Sequence, residues 1–265
     1  MTRPRIAVSS CLLGEPVRFN GGHSRDRFLA GTLDAHVEWV PSGRRRAATL
    51  DVDGYVFKAR SPRSQGVPLC PALDRRRRGL FAGAVIEAHP LLPVEDEGRL
   101  HDALLREAFV ERVFAHARLR EFLCGDWRPR DLVAFHARHK MQLLAHDPAL
   151  YREAGRIVAV AGPRPRAELV ADYAQVFRRA LAGKPSPGRH VNVLHHCLGM
   201  LDLDGALRDD LLEVIESYRR GLVPLSVPVT LLRHHATGRD AGYVREQSYF
   251  SPYPDALRPR DHVPA

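Results

Sequence analysis

The chain has 265 residues, 45% of them hydrophobic, with a formal net charge of +9 and a pI near 9.9. That composition excludes a disordered polyelectrolyte and provides apolar material for one large core or two modest ones. No run approaches the roughly 18–20 apolar residues that cross a bilayer, and the opening "MTRPRIAVSSCLLGEPV" is broken too early for a secretory leader, so a cytoplasmic protein without a membrane partner is expected.

In chain order, "RIAVSSCLLG" reads as an apolar strand running into a Gly turn. "HVEWV" and "DGYVFKA" alternate as strands do, and "GLFAGAVIEAH" begins a buried helix. From Leu100 the pattern becomes helical. "LHDALLREAFVERVFAHARLREFLC" is amphipathic, with Leu104, Ala108 and Val113 near one face. After "GDWRPR", Asp131 is read as opening "DLVAFHARHKMQLLAH". Asp147 followed by Pro148 is an N-cap with Pro at the first helical position, and Gly162-Pro163 closes that helix. "RAELVADYAQVFRRALAG", "GRHVNVLHHCLGML", "DDLLEVIESYRRG" and "VPVTLLRHHA" follow as helices, and the tail "YFSPYPDALRPRDHVPA" is proline-broken. The expected fold class is an α/β N-terminal domain followed by an all-α helical domain, with a boundary near residues 120–130.

The four cysteines, Cys11, Cys70, Cys124 and Cys197, are far apart and form no CxxC pair, so in a reducing compartment they are thiols or ligands. Cys11 ends a strand just before a turn, where side chains face the mouth of an α/β sheet. Either a buried small hydrophobe or a ligand fits that place. Ser61, in the Ser-Pro turn, is a candidate catalytic hydroxyl or a turn cap. Cys124 and Cys197 sit in helical patterns and read as core thiols. The adjacent pairs His195–His196 and His234–His235 point about 100° apart on a helix and do not chelate one ion together.

Only three of the forty basic residues are lysine. Arginine forks and positive charge suit a polyanion such as nucleic acid. His136, His139 and Lys140 share a helix face, with Arg138 beside them, and Arg189, His190 and Asn192 lie at a helix start that favours anions. Arg233 and His234 close another helix. Tyr243, Tyr249, Phe250 and Tyr253 either stack unpaired bases or pack the tail onto the bundle. The runs Arg44–Arg46 and Arg75–Arg78 are solvated loops or phosphate contacts.

The opening "SSCLLGEPVRFNGG", the segment "DGYVFKARSP" and "RRRGLFAGAVIEAHPLLPVEDEGRL" resemble the TudS-like thiouracil desulfidase family. That resemblance implies an α/β domain, here shortened and spanning residues 1–125 with its linking helix. It also implies a 4Fe–4S cluster on three cysteines whose open iron takes sulfur from a thiocarbonyl, with Cys11 at a ligand position. Cys70 is a second candidate metal ligand only if it is recruited in space, and Ser61 is the candidate catalytic residue read from the Ser-Pro turn. The chain departs from the family at two ligand positions. The segment bearing the second cysteine is absent after "HVEWVP", and "SPRSQG" puts Ser64 where the third cysteine belongs. Cys70, in "GVPLCPAL", lies beyond the Ser-Pro turn.

"FHARHKMQLLAHDPALYREAGRIVA", "GRHVNVLHHCLGML", "IESYRRGLVPLSVPVTLLRHH" and "YVREQSYFSPYP" resemble the YbgA-like domain, over residues 126–265. The two domains together are similar to RudS-like tRNA 4-thiouridine desulfidases. This implies binding of tRNA or another structured RNA, with a thiolated nucleobase as substrate; the helix-face and helix-end reading supplies Arg138, His139, Lys140, Arg189, His190, Asn192, Arg233 and His234 as the candidate RNA contacts. With thiolate positions missing, the expectation is an RNA-binding desulfidase-type protein that removes sulfur from thiolated uracil or uridine if a cluster still forms, with impaired catalysis. The alternative is a non-enzymatic scaffold or regulatory protein acting through the YbgA-like half.

Overall fold

In the computed structural model, residues 3–17, 21–41, 49–58, 80–236, 242–257 and 260–261 are described. The chain divides into two units: unit 1 takes Met1–Glu121 with Tyr253–Leu257, and unit 2 takes Phe122–Pro252 with Arg258–Ala265. Ser61, Ser64, Cys70 and both arginine runs of the loops lie outside the described residues.

Unit 1 is built on a parallel sheet of four short strands, β1 (Arg5–Val8), β2 (Glu38–Pro41), β3 (Gly54–Phe57) and β4 (Val94–Asp96), in the order β2-β1-β3-β4. Alternate residues of β1 and β3 face opposite sides, the period-two rule of a strand. Ile6, Val8 and Val56 look into one layer with Leu12, Leu29, Leu33 and, from α3 (Ala103–Cys124), Phe109, Val110, Val113 and Phe114. Ala7, Tyr55 and Phe57 look into the other, against Ala82 and Val85 of α2 (Leu80–Ala88). All four residues of β3 are therefore buried, as a parallel sheet covered on both faces requires.

β1 does not run straight into a turn, as the sequence suggests. Ser10–Leu13 makes one helical turn, α1, which ends at Gly14 with φ 107°. That left-handed conformation is one an L side chain rarely adopts, and it lets the loop double back. Ser24 N donates to Cys11 O and Asp26 N to Leu12 O, both at 2.9 Å. Along α3, Val113 is buried as expected, but Leu104 is 37% exposed. Cys124 is likewise exposed rather than a core thiol, because it is the last residue of the helix, just before Gly125.

Unit 2 is helical: α4 (Pro129–His146), α5 (Pro148–Ala159), α6 (Arg166–Ala182), α7 (Pro187–Leu198), α8 (Gly205–Arg219), α9 (Ser226–His235) and α10 (Gly242–Arg245). Capping chemistry sets most starts. Asp147 accepts from Ala149 N and Leu150 N, Ser186 from Arg189 N, and Asp204 from Leu207 N, each followed by Pro or Gly at the first helical position. α4 starts two residues before Asp131. Pro129 occupies its first position, and Asp131 instead reaches back to accept from Arg128 N at 2.8 Å, the return arm of a capping box. Met141, Val193, Leu194, Cys197, Leu211, Ile215, Leu232 and Tyr249 join in one core. Among the described residues, no helix is long and apolar enough to cross a membrane.

Candidate functional site

With strand order β2-β1-β3-β4, the chain leaves β1 toward one edge and later returns to the other side of β1 as β3. The carboxyl ends of β1 and β3 therefore flank the topological switch point, where open α/β sheets bind ligands. Cys11 stands three residues beyond β1, and Lys58 directly follows β3. Lys58 Nζ donates to Cys11 Sγ at 3.4 Å, and Ser9 Oγ lies 3.2 Å from the same sulfur. Cys11 is 3% exposed, so the thiol is sheltered while an ammonium and a hydroxyl converge on it. The sequence signals Cys11 but not its partner. Lys58 is 47 positions away, and only the parallel pairing Ala7↔Tyr55 and Val8↔Val56 brings the two strand ends side by side.

The fit to a three-cysteine cluster is limited by donors. Among the described residues, no three His, Cys, Asp or Glu side chains gather as a metal site. Cys197 lies in the helical core, where burial pushes its thiol up to about 12, far from the thiolate form that ligates iron. Cys11 is thus the one thiol the described residues bring to the switch point.

The predicted RNA contacts are distributed over unit 2 in two kinds of place. Arg138, Arg189, Asn192 and His234 are exposed, and Lys140 and Arg233 are half-buried. His139 and His190 are inside. His139 is 1% exposed, its Nδ1 lies 2.8 Å from Phe135 O, and its ring stacks on Phe135 at 4.2 Å. His190 is 7% exposed and its Nδ1 lies 3.0 Å from Tyr249 Oη. The helical spacing that put these imidazoles on one face with basic residues is equally the spacing of a core face, and the apolar Phe135 one turn before His139 was the available sign. Of the four tail aromatics, Tyr249, Phe250 and Tyr253 are buried and only Tyr243, at 38% exposure, offers a ring face.

Arg138 and Lys140 lie on a stretch of α4 that the C-terminal segment grips. Gln247 Nε2 donates to Ala137 O at 2.9 Å, Met141 N donates to Gln247 Oε1 at 3.3 Å, and Ser248 N donates to Arg138 O at 2.8 Å. Tyr243 sits in the same neighbourhood. Burial raises its phenol, while the positive charge of Lys140 acts in the opposite direction. Below them His136 is held at about 4, chiefly by burial and then by Lys140, with Tyr173 Oη 3.2 Å from its Nδ1. Arg189 donates to His146 O, and Arg233 donates to Ser251 Oγ at 3.2 Å. The arrangement gives exposed guanidinium groups at Arg138 and Arg189 and a half-buried ammonium at Lys140 with the Tyr243 ring near it.

This helical unit is of a recognised class: residues 140–254 match the family described as protein of unknown function, DUF1722. The chain is also 30% identical over 135 residues to the uncharacterized protein YbgA of Escherichia coli strain K12, an alignment covering 49% of this chain and 78% of that protein. The chain belongs to the YbgA family. No solved structure matches it significantly.

Proposed function

We propose that the chain is an RNA-directed protein of the thiouridine desulfidase type, in which unit 1 receives a thiolated uracil at Cys11 and unit 2 binds the tRNA that carries it. The observation supporting this reading is the Cys11–Lys58 pair at the carboxyl ends of β1 and β3. A thiocarbonyl sulfur is soft, polarisable and carries partial negative charge. A sheltered sulfur ligand with an ammonium alongside suits that group, and the Ser9 hydroxyl adds a rotatable hydrogen-bond partner.

In the resembled family a 4Fe–4S cluster supplies an open iron that takes the sulfur. The described residues bring one cysteine sulfur where that cluster needs three, and Ser64 stands in the sequence at a cysteine position, a poor exchange for a soft anionic ligand. Recognition of the thiolated base is therefore what the chain retains, with sulfur removal slowed or lost. In unit 2, Arg138, Lys140, Arg189 and Arg233 supply the phosphate contacts.

The test is tRNA binding by the full chain across a salt series, together with the 4-thiouridine content of bulk tRNA after anaerobic incubation. The reading expects affinity that falls steeply with salt. Each of Arg138→Ala, Lys140→Ala and Arg233→Ala should make the slope shallower by about one. The 4-thiouridine content should change little. Failure to bind tRNA at low salt would remove the RNA reading and leave a scaffold acting through the YbgA-like unit.

A further inference from the structure

The helical unit carries a groove of about 470 Å³ between α5 and α6, whose lining includes neither Cys11 and Lys58 nor the proposed RNA contacts. That volume is within the roughly 300–1,000 Å³ typical of small-molecule sites. Its walls follow from helical spacing. Glu153, Arg156, Ile157 and Val160 stand at i, i+3, i+4 and i+7 along α5 and its end. Asp172, Gln175, Val176 and Arg179 repeat that spacing on α6. Each helix therefore turns one stripe of mixed character toward the same trough.

The groove is braced at its ends. Arg164, from the turn between the helices, donates to Asp172 at 2.6 Å, and Arg179 approaches Glu153 at 4.0 Å across the two helices. Arg156 differs from both. It is exposed, and no carboxylate among the described residues pairs with it. The floor is apolar: Val176 is buried, Ile157 half-buried, and Val160 is 53% exposed despite its size.

We infer that this groove binds a phosphate-bearing nucleotide, with the base on Ile157, Val160 and Val176 and the phosphate on Arg156. The composition favours that ligand over an acidic peptide. Glu153 and Asp172, their charges met by Arg179 and Arg164, present acceptor oxygens that ribose hydroxyls or exocyclic amines satisfy and a peptide carboxylate does not. Apolar side chains take a ring face, and a guanidinium fork takes two phosphate oxygens at once. Read together with the proposed function, the ligand is one unpaired residue of the bound RNA, and to that extent the inference rests on that reading. A free mononucleotide presents the same chemistry.

The experiment is a methyl-NMR titration of the full chain with uridine 5′-monophosphate, with inorganic phosphate and with a short oligouridylate, for wild type, Arg156→Glu and Arg156→Lys. The inference expects the nucleotide and the oligomer to move the Val160 and Val176 methyl signals. Phosphate alone should move them less. Arg156→Glu should abolish the shifts, and Arg156→Lys should restore them in part. A response to the mononucleotide without tRNA binding would keep the groove and assign it to a free nucleotide, removing the RNA reading. Full tRNA affinity in Arg156→Glu, with Val160 and Val176 unmoved by any of the three ligands, would overturn the groove and leave the RNA reading intact.

Discussion

Asp53 is only 2% exposed, yet its carboxylate receives Arg120 Nε and Nη2 at 2.8 Å each and the backbone N–H of Arg5 at 2.8 Å. A buried anion is tolerated only with such partners, because its desolvation is otherwise uncompensated. Arg120→Ala would leave the carboxylate with the single backbone donor. We predict a loss of about 3 kcal/mol in urea unfolding, with Arg120→Lys losing less because it keeps the charge but not the two-pronged geometry. His136 gives a second residue-scale prediction. Burial first, and Lys140 second, lower it from 6.5 to about 4, so the folded chain holds this ring neutral while the unfolded chain protonates it sooner. Between those values the unfolded state binds more protons. Stability is therefore complete above pH 6.5 and falls as pH drops toward 4, by about 3 kcal/mol at most. Unfolding free energies measured between pH 7 and 4 should show that slope, and His136→Gln should flatten it.

At the scale of elements, α3 presses closely on the first residue of β3. A Cβ added at Gly54 would lie 2.6 Å from Val113 Cγ2 and 3.5 Å from Phe109 Cζ. Gly54→Ala is thus an overpacking change, expected to cost about 1–3 kcal/mol. In a double-mutant cycle Val113→Ala should recover part of that loss, whereas additive costs would show that the strand can shift away. The helix starts illustrate what local sequence conveys. Asp147, Ser186 and Asp204 act within three residues of themselves, so their caps are legible as side-chain chemistry, and Asp147→Ala should cost about 1 kcal/mol. The start of α4 is less legible in the local sequence, because Arg128 is a poor capping type and the acidic residue that closes back on it lies inside the helix. The Cys11–Lys58 contact depends on strand order, which no local pattern encodes. The interior places of His139 and His190 depend on which helix face meets a neighbour, and a mixed His/Arg/Lys face leaves that undecided. Cys11 itself was legible, since a strand end before a glycine turn has a defined place in a parallel sheet.

For the whole molecule, the two units carry different chemistry. The sheet unit concentrates a thiol, an ammonium and a hydroxyl at one point, whereas the helical unit spreads its exposed cations over several helices. Under the proposed function such a division suits a substrate that is a small reactive base on a large polyanion: phosphate contacts would provide affinity without selecting the base, and selectivity would lie with the groups at the strand ends. The two contributions should therefore separate on mutation. The most direct measurement compares binding of 4-thiouridine-containing tRNA and the same tRNA lacking sulfur, for wild type, Cys11→Ala and Lys58→Met at fixed salt. The account predicts tighter binding of the thiolated tRNA by wild type, loss of that preference in both variants, and nearly unchanged affinity for the sulfur-free tRNA. Equal affinity of wild type for the two tRNAs would contradict it.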